Sequence, residues 1–287
     1  MVPAGIASNL SESSTQTYLH IKEKAKAIEQ LYRDNAIPLP AECALAQLIN
    51  DAKTLSDAWM MNKQEIANCQ LLFRVFSLDR IADAVLPLVT VPDRARYLTV
   101  FTSGNLDLLQ RDLSITKNIL WELELWARLC EKGLSATLQE PDLVVHFEDA
   151  TVGIACKKLY SDNNVAKVLS EAVGQIEATH DFGILAVNLD DLVPAGKILT
   201  ATTQAAMGKR IEQINRAFLV KHKRHFLRYL TPGRVISALV STTLLADLSS
   251  QKPSFNIASH MTVWTVPGLT RSKKQQLDRF YVQLMER

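Results

Sequence analysis

Apolar residues recur every three or four positions from Glu12 to Asn35, with Tyr18, Ile21, Ala25, Ile28 and Leu31 on one side of a helical wheel. This spacing predicts an amphipathic helix, with the Ser and Thr residues at its start as candidate caps. Ile37-Pro38-Leu39-Pro40 ends it, because proline lacks the amide donor and restricts the residue before it. Further helices are predicted across Ala41–Met60, Lys63–Phe76 and Leu78–Leu88. Val91-Pro92-Asp93 opens another, with proline at its first position. Ser103-Gly104-Asn105 is the strongest internal punctuation, so the expected division is a helical domain, 1–110, and a second domain, 111–287.

After residue 110 the period changes. Ser114–Lys132 reads as a helix closed by Gly133. Short apolar runs follow near Ser135–Leu138 and at Leu143–Phe147, Val152–Cys156 and Ile184–Leu189, with helical spacing at Asn163–Thr179. The order is helix, three strands, helix, strand. A helix over Thr202–Leu227 then carries Met207, Ile211, Ile214 and Phe218 on one stripe. Gly233–Leu245 and Ser259–Val266 read as strands, and Arg271–Arg287 as a terminal helix. The expected class is α/β in the α+β sense, with a mixed sheet.

Composition narrows the function classes without choosing one. With 47% apolar and 22% charged residues, the chain has the make-up of a globular protein. A net charge of +2, from 32 basic and 30 acidic residues, gives no bulk attraction to nucleic acid, so any basic surface is local. The four cysteines, Cys43, Cys69, Cys130 and Cys156, are widely spaced and form no zinc pattern, which points to reduced thiols. The first residues, MVPAGIASNLSESST, lack the basic and apolar segments of a signal peptide. The longest nearly apolar run, Val235–Ala246, falls short of the ~20 residues a bilayer requires. The chain is therefore expected to be cytoplasmic, with no membrane partner.

Candidate chemistry lies in PDLVVHFEDATVGIACKKLYS, Pro141–Ser161. Two-residue alternation puts Asp142, Val144 and His146 on one strand face, with Gly153, Ala155 and Lys157 sharing a face of the returning strand. A carboxylate heading the first strand and a lysine ending the second can then converge.

Pro141-Asp142 followed by Ile154-Ala155-Cys156-Lys157-Lys158, in that order of helix and strands, resembles the PD-(D/E)XK, or restriction-endonuclease-like, nuclease superfamily. The resemblance covers roughly Ser114–Leu189. It implies an αβββαβ core and hydrolysis of phosphodiester bonds in DNA, in restriction or phage defence, with magnesium or manganese as cofactor. Residue by residue, it implies Asp142 as a metal ligand and Lys157 as the lysine that orients water and stabilises phosphate. It further implies Glu122, ahead of Glu124, as the helix acid, and Gln175 as a glutamine beside the site. Magnesium suits this donor set, since it takes hard oxygen ligands and retains several waters.

The sequence departs from the family pattern at Ala155, which stands where a second acid belongs and cannot ligate a metal. Three accounts stay open: an inactivated variant, a pseudo-nuclease, and an active enzyme whose second acid has moved to Glu140 or Glu122. The alternative reading is a non-catalytic scaffold that binds DNA or protein.

Lys209–Arg234 holds eight Lys or Arg residues and one acid, Glu212. Lys209, Arg210, Arg216, Lys221, Lys223 and Arg224 are its candidate phosphate contacts, and a solvated helix face is the equal alternative. The Lys273-Lys274 pair is a weaker candidate. Trp121 and Trp126 read as packing residues, and His146 as a core histidine with one hydrogen bond. The helical first third is expected to bind a partner or substrate, or to mediate homo-oligomer assembly.

Overall fold

Helical spacing before residue 110 and short apolar runs after it produce a mixed α/β chain. A computed structural model describes residues 9–10, 17–62 and 68–285. In chain order the elements are β1 (Asn9–Leu10), α1 (Thr17–Asp34), α2 (Ala44–Asn62), α3 (Cys69–Val85), α4 (Arg94–Ser103) and α5 (Ile115–Glu131). There follow β2 (Ser135–Thr137), β3 (Leu143–His146), β4 (Thr151–Lys158), α6 (Val165–Thr179) and β5 (Gly183–Asn188). The chain ends with β6 (Leu199–Ala201), α7 (Gln204–Lys221), α8 (Lys223–Leu230), β7 (Val235–Leu248), β8 (Phe255–Trp264) and α9 (Arg271–Met285). The predicted αβββαβ order appears as α5, β2, β3, β4, α6 and β5.

All strands join one sheet in the order β1-β8-β7-β5-β4-β3-β2, with β6 pairing the far end of β7. β4, β5 and β7 run parallel, and the hairpins β2–β3–β4 and β7–β8 are antiparallel. Register sets the faces. Val152, Ile154 and Cys156 join Leu143, Val145, Ile184 and Ala186 in a core shared with α1–α5 and with Leu277 and Phe280 of α9. That core runs without interruption from the helices before residue 110 into the sheet. Ala155, Leu185 and Val187 face the other way, against Leu169, Ala172 and Ile176 of α6 and Phe226 of α8. Each fully buried Leu or Ile stabilises the layers by roughly 1.5–3 kcal/mol of transfer free energy.

α5 is the hub of the first layer. Ser114 caps it by accepting the amide of Lys117, and Gly133, at φ +75°, ends it in the left-handed conformation glycine adopts at low cost. The indole N–H groups of Trp121 and Trp126 donate to the carbonyls of Ala186 and Ala136, so both rings pack as expected.

Four elements differ from the expectation, among them the two-residue strand β1, where no strand was expected. The predicted helices Lys63–Phe76 and Leu78–Leu88 form the single helix α3, with a 3-10 turn at Leu86–Thr90; 63–67 lie outside the described residues. Ser77 does not break α3, because its hydroxyl donates to the Phe73 carbonyl at 2.8 Å. The Thr202–Leu227 helix divides at His222, whose imidazole is held 2.9 Å from Asp162 Oδ1. β6 was hidden in sequence by its three-residue length. The start of the first helix, 12–16, and the end of the last, 286–287, lie outside the described residues.

Candidate active site

The β3–β4 register places Leu143 opposite Ile154, so Asp142 immediately precedes the first paired residue and stands across from Ala155. There its carboxylate replaces a backbone partner: Oδ2 accepts the amide of Cys156 at 2.7 Å and meets Lys157 Nζ at 3.3 Å. The close approach that seats Pro141 needs glycine at 153. A Cβ there would lie 2.9 Å from His180 Nδ1 and 3.0 Å from Pro141 Cδ.

Glu122 reaches the same locale from α5. Burial and the nearby Asp142 carboxylate push its carboxyl up to about 7, against the pull of Lys157 and with a further push from Glu140. Burial also raises Asp142, opposed by Lys157 and the Cys156 amide. Two acids from separate elements and one lysine thus share one partly desolvated electrostatic cluster, with exposed Glu140 at its edge. The Cys156 thiol between them is raised well above its ordinary range by burial and by both acids, so it is neutral and no nucleophile.

The linkage has a definite sign. Glu122 titrates near 7 when folded and near 4.5 when unfolded, so the native state binds the extra proton between those values. Stability therefore falls as pH rises from 4.5 to 7, by up to about 3 kcal/mol at roughly 1.4 kcal/mol per pH unit. Glu122→Gln is expected to flatten that part of a urea-denaturation profile and to stabilise the protein at pH 8. A profile unchanged in slope would refute the coupling.

The other candidates fall in different places. Ala155 is fully buried in the apolar layer beneath α6. Glu124 turns from the cluster and accepts two bonds from Arg80, so of the two acids Glu122 is the one near Asp142. Gln175 is half-buried in α6, with Oε1 enclosed and lacking a hydrogen-bond partner among the described residues. His146 has the one bond expected of it, to Thr137 Oγ1 at 2.8 Å. Lys209, Arg210, Lys221, Lys223 and Arg224 are exposed along α7 and α8, while Arg216 is half-buried against Glu212 and Lys221 pairs with Asp162. Lys273 donates to the Gly233 carbonyl, and Lys274 lines an open groove beside Arg271 and Arg279.

Among the described residues no three His, Cys, Asp or Glu side chains are gathered as a metal shell. The donor chemistry nevertheless suits one hard cation. Glu122 enters no ion pair among the described residues, and Asp142 commits Oδ2 but not Oδ1 to its neighbours. Two carboxylate oxygens completed by water meet what magnesium requires.

A larger ionic assembly escaped the sequence reading. Arg80 of α3 bridges Glu124 of α5 and Asp190 beyond β5, each at 2.7 Å. Lys158 stands 3.2 Å from Asp191, and Arg111 binds the same carboxylate at 2.6 Å. The acid pair directly after a buried strand was its one local signal; Arg80 lies 110 positions away. Comparison with family models, with curated proteins and with solved structures finds no match, so the reading of this site rests on its own residues.

Proposed function

We propose that the chain is a metal-dependent nuclease that hydrolyses phosphodiester bonds of DNA at the Glu122, Asp142 and Lys157 cluster. The observation that carries this reading is Glu122: a helix acid pushed up to about 7 by burial and by the hairpin's Asp142, beside a lysine. Perturbed acids of this kind concentrate at functional sites. Asp142 and Glu122, with Glu140 at the edge, would hold magnesium or manganese, which when bound supplies a Lewis acid for the phosphate and its attacking water. Lys157 offers positive charge to the developing phosphorane, and Asp142 fixes that ammonium in place. The exposed basic residues of α7 and α8 suit contacts to the DNA backbone. The helices before residue 110 would serve substrate or partner recognition, in a cytoplasmic setting such as restriction or phage defence. No helix among the described residues is long and apolar enough to cross a membrane.

Plasmid and linear DNA incubated with the chain and magnesium or manganese should be cut. Asp142→Ala and Lys157→Ala should each reduce cleavage by roughly 10²-fold or more, the scale for losing one electrostatic stabiliser. Cleavage by either variant at the parent rate would remove the site from consideration.

A second reading, a non-catalytic scaffold of the same fold, has one observation in its favour: Ala155 leaves the metal one acid short and is enclosed by apolar residues. DNA binding without cutting, in the parent and in Asp142→Ala alike, would decide for it.

A further inference from the structure

The carboxyl ends of the parallel strands β4, β5 and β7 meet at a cavity of about 70 Å³ that no part of the nuclease reading uses. In open α/β sheets this is the edge where ligands are bound. Arg80, Arg111, Lys158, Asp190 and Asp191 form its polar floor, Phe73, Phe76 and Leu109 stand among its apolar walls, and exposed Lys197 lies at its mouth. The volume admits several waters or one compact group, at roughly 10–15 Å³ per water.

Two of the eight buried side-chain polar atoms that lack a hydrogen bond among the described residues belong to residues lining the cavity, Arg111 Nε and Asp191 Oδ2, and a third, Asn188 Nδ2, belongs to the side chain that accepts from Lys158. Such orphans are costly and call for a partner. Asp191 is itself only 7% exposed, and its Oδ2 meets Lys158 at 3.2 Å without hydrogen-bond geometry. Among the described residues Arg80 bonds through Nε and Nη2, leaving Nη1 as a further donor. The three cations Arg80, Arg111 and Lys158 are balanced by Glu124, Asp190 and Asp191, while Lys197 adds positive charge at the mouth.

What the cavity lacks is therefore an oxyanion that accepts from two guanidinium groups and also donates one O–H to a carboxylate. Inorganic phosphate meets both conditions, since it keeps a proton at neutral pH. Sulfate meets only the first, because it has no proton to give Asp191. A phosphate monoester, whose second pKa is ≈ 6, meets both only in more acidic solution. We propose that this cavity is a binding site for hydrogen phosphate, held by Arg80 and Arg111 and selected over sulfate by Asp191.

The site adjoins the proposed nuclease cluster through the chain itself: Lys158 follows Lys157, and Arg80 holds Glu124 two positions from Glu122. It does not depend on that reading.

The test is thermal unfolding of the full chain in increasing inorganic phosphate, at ionic strength held constant with chloride and with sulfate as the parallel arm. A rise that grows with the logarithm of phosphate concentration and reaches about 5 °C near 100 times Kd is expected, and none with sulfate. Arg111→Gln, which removes the free donor, and Leu109→Trp, which fills the space, should each abolish the rise; Lys157→Ala should keep it. The two variants act by different means, so either one that folds by circular dichroism is decisive. No phosphate-dependent rise, an equal rise with sulfate, a rise retained in a folded Arg111→Gln or Leu109→Trp, or one lost in Lys157→Ala would each overturn the proposal.

Discussion

Arg80→Ala should destabilise the protein by about 3–5 kcal/mol, the cost of removing one member of a buried ion pair. Arg80 is enclosed on α3, and two carboxylates depend on it. Glu124 faces both Nε and Nη2, and Asp190 Oδ2 receives a second bond from Nη2 at 2.7 Å. Burial alone would raise Asp190, yet Arg80, Lys158 and the Thr243 amide together hold it below its usual range. Its contribution to stability is thus present above the unfolded carboxylate range and is lost as pH falls through the lower folded value. Without Arg80, Asp190 keeps only Lys158, at 3.8 Å, and Glu124 loses its ion-pair partner, so one of them must take up a proton or draw in water. Urea denaturation at pH 7 measures the loss, and a change below about 1 kcal/mol would show that the bridge is dispensable. Arg80→Met, which keeps much of the bulk, should recover little, because the loss arises from uncompensated charge and not from volume.

Ala155→Glu is expected to lower the melting temperature by about 10 °C or more, instead of simply restoring a metal ligand. The methyl group is fully buried and belongs to the apolar cluster with Leu169, Ala172, Leu185 and Val187. Four added heavy atoms overpack that layer, typically by 1–3 kcal/mol, and a carboxyl placed there is desolvated as well. At roughly 2–4 °C per kcal/mol for a chain of this size, the sum reaches the stated shift. Differential scanning calorimetry gives the value. A variant that melts like the parent and cuts DNA faster with magnesium would show that the new side chain escapes the layer towards Asp142. Such a result would also identify Ala155 as the position where the site lost an acid.

Which features were legible in the sequence follows from the range of the interactions behind them. The α5 boundaries were readable because Ser114 and Gly133 act within their own turns. The split of residues 143–156 between two faces was readable because strand alternation has a period of two, and Leu143, Val145, Val152 and Ile154 all reach the α5 side. The convergence of Asp142 and Lys157 followed from a short hairpin, whose register a few residues decide. The division of the Thr202–Leu227 helix at His222 was not readable for the opposite reason: its imidazole is held by Asp162, sixty positions away.

The sequence by itself determined the order of elements, the alternation of the faces and the pairing of one acid with one lysine, since each arises from neighbours within a turn or a hairpin. Only the tertiary structure decided which helix acid comes near Asp142 and which pairs with Arg80. Glu122 and Glu124 lie two positions apart on one helix, and their roles depend on what α3 and β3 bring against each side of it. It alone also enclosed Ala155 beneath α6 and gathered Arg80, Arg111, Lys158, Asp190 and Asp191 at the ends of three parallel strands. Burial and charge neutralisation there join residues more than a hundred positions apart, which local spacing does not encode.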